Sequence, residues 1–283
     1  MELGIHLPLM QFGDEGLSLA RLTAAVDAAR DCGLAAVSAN DHFLFNTPWL
    51  DGPTALGAVV ERSGSMELAT TVALVSLRGP VQLAKSIAAL DVLSDGRVIA
   101  GVGPGSSERD YDAVGVPFEE RWARFEDSVK RLRALLGPES PLSPAPARPG
   151  GVPIWLASWG SRAGMRRVAR LGDGWFASAY NTTPEAFAAG RESLPAGFPN
   201  ALVTMWTWIT DDARDAERVL REVLGPLLRR DPDALRGQLC VGSPAQCAEL
   251  LSRYADAGCE RVHMWPLGDE PRQIERAASL TGK

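Results

Sequence analysis

Eight short apolar runs occur along the chain, nearly every one followed by a segment of helical periodicity, and that alternation limits the fold more than any other feature. The runs are Leu3 to Leu7, Ala35 to Ala39, Leu68 to Val75, Arg97 to Gly101, Ile154 to Ala157, Gly174 to Ser178, Leu202 to Ile209 and Arg261 to Trp265. Helical patterns follow over Leu17 to Asp31, Thr54 to Glu61, Pro80 to Leu93 and Phe118 to Leu136, then over Arg162 to Arg170, from Thr183-Pro184, over Ala213 to Leu228 and from Ser243-Pro244. Leu19, Leu22, Ala25, Val26 and Ala29 share one face of the first helix, and Gly33 stops it. Apolar strands separated by helices imply a parallel sheet covered by those helices. Eight such units in 283 residues predict an α/β fold, a closed (β/α)8 TIM barrel, as one domain over residues 1–283.

Residues 137–152 interrupt the alternation with five prolines in sixteen positions, and we read them as a surface loop. The net charge of −6, with Arg229-Arg230 running straight into Asp231 and Asp233, argues against a nucleic-acid surface. No run approaches the roughly 20 apolar residues of a membrane span, and the first residues carry no basic and apolar leader pattern. Cys32, Cys240, Cys247 and Cys259 have no C-x-x-C spacing and no metal-ligand partners, so they read as isolated thiols in a reducing cytoplasm, with no metal site.

The stretch GVGPGSSERD, residues 101–110, resembles a phosphate-cradling glycine loop at first sight. A dinucleotide fingerprint needs a third glycine, immediate entry into a helix and an acid after the next strand. Here Ser106 holds the third position, helical pattern returns only near Phe118, and the acids at the right distance, Glu126 and Asp127, lie within a helix. The stretch is therefore expected at the C-terminal rim of the fourth strand, where barrel active sites are built. There glycines let backbone approach a flat ligand, although they also serve simply to turn the chain.

The segment GVGPGSSERDYDAVGVPFEERWARFEDSVKRLRALL resembles the region after strand four of the bacterial luciferase-like monooxygenase superfamily. AKSIAALDVLSDGRVIAGVG, PIWLASWGSRAGMRRVARLGDGW and GSPAQCAELLSRYADAGCERVHMWP fit the same pattern in the same order. Within that superfamily the chain looks most like the actinobacterial branch that uses the deazaflavin coenzyme F420. The resemblance implies an oxidoreductase that holds the ring in the barrel mouth and passes a hydride between it and a small organic substrate. An FMN-dependent two-component monooxygenase and a catalytically silent flavin-binding protein are the alternatives. The resemblance also implies a homodimer and a separate reductase or dehydrogenase that supplies the cofactor.

Site residues follow from that resemblance. Asp41-His42 matches the acid–histidine pair ending strand two, and His42 is the expected catalytic residue, positioned to bond the ring or move a proton. The competing reading is a histidine packed beneath a loop and satisfied by Asp41. A non-prolyl cis peptide backing the ring is expected near Thr71-Val72, with Gly103, Gly105 and Ser106 also at the cofactor. Ala157, Ser158, Trp159, Gly160, Ser161 and Arg162 lead into a helix whose N-terminus suits a phosphate, and Ser161 also reads as its cap. Trp49, Tyr180, Trp206, Trp208, His263 and Trp265 are candidates for the substrate pocket, with barrel core as the alternative; Trp206 and Trp208 are expected to share a face.

Two positions depart from the sugar-phosphate dehydrogenases of the family. Ser106 stands where those enzymes carry a glutamate, with Glu108 two residues on, and Asn46 replaces a tryptophan after the strand-two histidine. The glucose-6-phosphate activity is therefore not implied.

Overall fold

The computed structural model describes residues 1–12 and 16–280. The described residues form ten strands: β1 (Glu2–His6), β2 (Ala36–Ala39), β3 (Glu67–Thr70), β4 (Ala73–Leu74), β5 (Val98–Gly103), β6 (Ile154–Ala157), β7 (Gly174–Ser178), β8 (Asn200–Ile209), β9 (Cys240–Gly242) and β10 (Arg261–Pro266). All pairings between them are parallel, in the order β10-β1-β2-β3-β5-β6-β7-β8, and β8 pairs with β10 to close the ring. The barrel is thus the expected (β/α)8 architecture, with its helices on the outside.

Two strands differ from the sequence reading. The expected third strand is broken in two: β3 and β4 flank Thr71-Val72, and both halves pair with β5. Val75, read as the end of that strand, instead opens a short helical turn, Val75–Arg78. The second difference is β9, a three-residue strand on the far end of β8, which the periodicity did not disclose because so short a run has no period to read.

Helix packing follows the amphipathic patterns. Helix Arg121–Leu136 buries Phe125, Val129, Leu132 and Leu136, a three-to-four-residue repeat facing helix Pro80–Leu93. Each of these side chains contributes about 1.5–3 kcal/mol on burial. Inside the barrel, Ala69, Ile99, Phe176, Ala201 and Val203 form a separate apolar cluster supplied by β3, β5, β7 and β8. Residues 137–152 hold neither helix nor strand, as expected. They are tied down by Arg148, whose backbone N–H donates to the fully buried Asp91 (2.9 Å) and whose Nε donates to the Gly96 carbonyl (2.8 Å).

Candidate functional site

The C-terminal ends of the strands gather most of the expected site residues at one mouth. The Thr71-Val72 peptide is cis, where the resemblance placed it. The glycines of β5 make room for this bend. A Cβ on Gly101 would lie 1.9 Å from the Thr70 carbonyl oxygen, and one on Gly103 would lie 2.7 Å from Val72 Cγ2. Gly105 adopts φ 81°, a conformation that disfavours any other residue, with Leu74 beside it. The glycines therefore let β5 close against the bent third strand. The Thr71 hydroxyl is buried at the bend with no hydrogen-bond partner among the described residues.

His42 follows β2, and its Nδ1 lies 2.9 Å from Asp110 Oδ2. Asp110 is 1% exposed, and its other oxygen accepts from the Leu44 backbone N–H at 2.8 Å. Burial alone would raise this carboxyl's pKa; the bonds from His42 and Leu44 outweigh it and hold the group below the usual carboxylate range. An ionised Asp110 accepts the Nδ1 proton, so Nε2 is the nitrogen left for chemistry. The partner of His42 is therefore not its neighbour Asp41. Both Asp41 oxygens are taken by Arg78 (2.5 and 2.6 Å), and one also by the Leu74 N–H (3.1 Å). Arg78 bridges onward to Asp51, which caps helix Gly52–Val59. Although burial opposes its charge, Asp41 and Asp51 raise the pKa of the Arg78 guanidinium.

Asp110 was missed as a site residue because the segment after Ser106 was read as irregular up to Phe118. The structure places a short helix, Glu108–Ala113, there, with Ser107 as its N-cap. The signal was local: serine followed by acids in the first turn is a helix start. That helix turns Asp110 inward and leaves Glu108 exposed, so the carboxylate that meets His42 is not the one nearest the missing glutamate. Ser106 is exposed on the rim.

An aromatic wall rises beside His42. His6, Trp265 and Trp206 stack face to face, with centroids 3.5 and 3.8 Å apart. Trp49 meets Trp265 edge-on at 5.8 Å and His42 at 4.8 Å, and Phe45 closes on both Trp49 and His42. The indole N–H groups of Trp49, Trp206 and Trp265 have no acceptor among the described residues. His6 donates from Nδ1 to the Leu7 carbonyl (2.7 Å) and accepts the Asn40 N–H at Nε2 (3.0 Å), a pattern that fixes the neutral ring. Burial pushes its pKa down to about 3.

Three pocket candidates thus converge: Trp49, Trp206 and Trp265. Trp208 does not join them, since its Nε1 donates to Asp215 of the next helix at 2.6 Å. Thr204, at φ 58°, carries a bulge that resets the side-chain alternation of β8 and brings Trp206 inward after Ala201 and Val203. His263 lies two residues before Trp265 on β10, 1% exposed among the interior apolar side chains; burial and the charges of Arg261 and His6 lower its pKa to about 3. Tyr180 is half-buried past the end of β7, beside Ser178 and Asn181, which bond each other at 3.1 Å.

After β6, half-buried Ala157 leads to Ser158, whose hydroxyl accepts the Gly160 N–H (3.3 Å) and whose carbonyl accepts Trp175 Nε1 (2.9 Å). Ser161 caps helix Arg162–Leu171 through the Gly164 N–H, while Trp159 and Arg162 stand exposed at its start. A Cβ on Gly164 would sit 2.3 Å from the Ser158 hydroxyl, so this turn is tightly folded onto its helix.

The luciferase-like monooxygenase family profile matches residues 1–224. An uncharacterized protein of Mycobacterium tuberculosis is 32% identical over 175 residues, 52% of this chain and 58% of that protein. The F420-dependent glucose-6-phosphate dehydrogenase of Amycolatopsis mediterranei is 36% identical over 118 residues, 38% of this chain and 34% of that enzyme. These matches therefore span less than two thirds of the length of either relative. Among solved structures, the monooxygenase RslO1 of Streptomyces bottropensis superposes with a TM-score of 0.82 at 19% identity, covering 99% of this chain and 98% of that one. An F420-dependent secondary alcohol dehydrogenase bound to an F420–acetone adduct gives 0.81 at 17% identity, covering 99% and 97%. The FMN-bound oxygenating constituent of 3,6-diketocamphane monooxygenase from Pseudomonas putida gives 0.73 at 16%, covering 100% and 97%. At these identities the structures share the fold, and their cofactors differ. On the profile match, which takes in most of the barrel, the chain belongs to the luciferase-like monooxygenase family.

Proposed function

We propose that this chain is an F420-dependent oxidoreductase that interconverts a small carbonyl compound and its alcohol. The observation that carries the reading is His42, held at Nδ1 by a buried, ionised Asp110 and standing against an aromatic wall at the barrel mouth. The residues present suit a flat ring. The partnerless Thr71 hydroxyl lies at the cis bend, and Gly103 lets Val72 pack directly against β5 beside it. The N-terminus of helix Arg162–Leu171, with Ser158, Ser161 and Arg162, suits the phosphate of the cofactor's tail.

When bound, the deazaflavin supplies or accepts the hydride. His42 Nε2 gives a proton to the substrate oxygen in one direction and takes it in the other, while Asp110 holds the ring in the required tautomer. Trp49, Trp206 and Trp265 form an apolar wall that screens the site from water. The similarity to the Amycolatopsis mediterranei enzyme supports the cofactor, and Ser106 and Asn46 count against its sugar phosphate as substrate. The reading includes a homodimer in the cytoplasm and a separate enzyme that regenerates the reduced cofactor.

The test is turnover of reduced F420 with a panel of aldehydes and ketones, and of oxidised F420 with alcohols. His42→Ala should lower the rate by about 10²–10⁴-fold while cofactor binding persists. Turnover that requires reduced FMN and dioxygen would replace this reading with the monooxygenase. Cofactor binding without turnover in either redox form, unchanged by His42→Ala, would leave a silent carrier.

A further inference from the structure

We propose that the outer face of helix Arg162–Leu171 forms a subsite for an extended oligocarboxylate, the glutamyl tail of coenzyme F420. This inference rests on the deazaflavin reading above. A surface groove of about 950 Å³ begins at Gly160 and Arg162, in the turn assigned to the phosphate, and runs between this helix and helix Pro184–Glu192. Arg162, Arg166 and Arg170 line it at four-residue intervals, so they lie along one side of the helix, about 6 Å apart in rise. Arg167 adds a fourth guanidinium, and Glu126 is the one carboxylate in the lining.

That carboxylate is already neutralised. Arg170 and Arg167 bond Glu126 at 2.5 and 2.9 Å and hold it below its ordinary range. Arg162 and Arg166 are exposed, and neither has a carboxylate partner among the described residues. The groove is thus a concentrated positive surface on a chain of net charge −6. Spaced guanidinium groups on a helix match a ligand with discrete carboxylates along an extended chain. F420 continues past its phosphate into γ-linked glutamates with one free α-carboxylate on each internal unit, whereas FMN ends at its phosphate. The groove therefore has a use with the deazaflavin that it lacks with FMN.

Fluorescence titration of the purified protein tests this, using F420 with several glutamates and the same cofactor trimmed to carry none. The unsubstituted protein should bind the tailed form about threefold to tenfold more tightly, and that preference should fade in high salt. Arg166→Glu should erase the preference while leaving affinity for the trimmed form unchanged. Arg131→Glu, an equal charge change at an exposed site outside the groove, should preserve it. Equal affinity for both forms in the unsubstituted protein, or equal weakening of both by Arg166→Glu, would overturn the subsite alone. Failure of both forms to bind would overturn the deazaflavin reading and the subsite with it.

Discussion

At the scale of single residues, the proposed reaction assigns the work of one proton transfer to the His42–Asp110 pair. Asp110 is a positioning residue that fixes which imidazole nitrogen carries the proton. Asp110→Asn keeps the shape and removes the charge, so it should lower kcat at least about tenfold and shift the pH–rate profile. Steady-state kinetics across pH checks this, and an unchanged profile would reduce Asp110 to a loop anchor. Gly103 gives a second prediction. Gly103→Ala would press a methyl group against Val72 Cγ2, at a cost of about 1–3 kcal/mol measured by urea unfolding. In the sequence, His42 stood out through the resemblance, which matches Asp41-His42 to an acid–histidine pair ending strand two. Asp110 was not, because its role depends on a partner 68 residues away.

At the scale of elements, the rim loops are joined by one guanidinium. Arg78, on the helical turn after β4, ties Asp41 at the end of β2 to Asp51 at the start of the next helix. Removing it strands two carboxylates, one of them buried, and Arg78→Ala should cost about 3–5 kcal/mol by chemical denaturation. Arg78→Lys should recover only part of that, since a single ammonium cannot reproduce the paired contacts to Asp41. A loss below 1 kcal/mol for Arg78→Ala would contradict this role. The long, strongly periodic helices and most strands were legible from pattern. The break between β3 and β4 and the bulge at Thr204 were not, because packing against neighbouring strands fixes them rather than local periodicity; the short helix Glu108–Ala113 had a local start signal at Ser107 but is too short to show a helical period.

At the scale of the whole molecule, the barrel interior carries two histidines that stay neutral. His6 and His263 have their pKa values lowered from 6.5 to about 3 by burial. Between those values the unfolded chain binds protons that the folded chain does not, so stability falls as pH drops from about 6.5 towards 3. The effect over the full interval is of order 5 kcal/mol for each ring, and unfolding free energies measured from pH 7 to pH 4 should decline by the larger part of it. A flat profile would show that these rings are hydrated or paired when protonated. The eightfold alternation made the barrel legible, and the aromatic wall was only partly so, because the bulge that brings Trp206 inward leaves no mark in the pattern. A binding titration of the purified protein against F420 and FMN decides whether this mouth is built for a deazaflavin. The account predicts F420 binding in the micromolar range or tighter, with FMN at least about a hundredfold weaker. Tight FMN binding without affinity for F420 would contradict it.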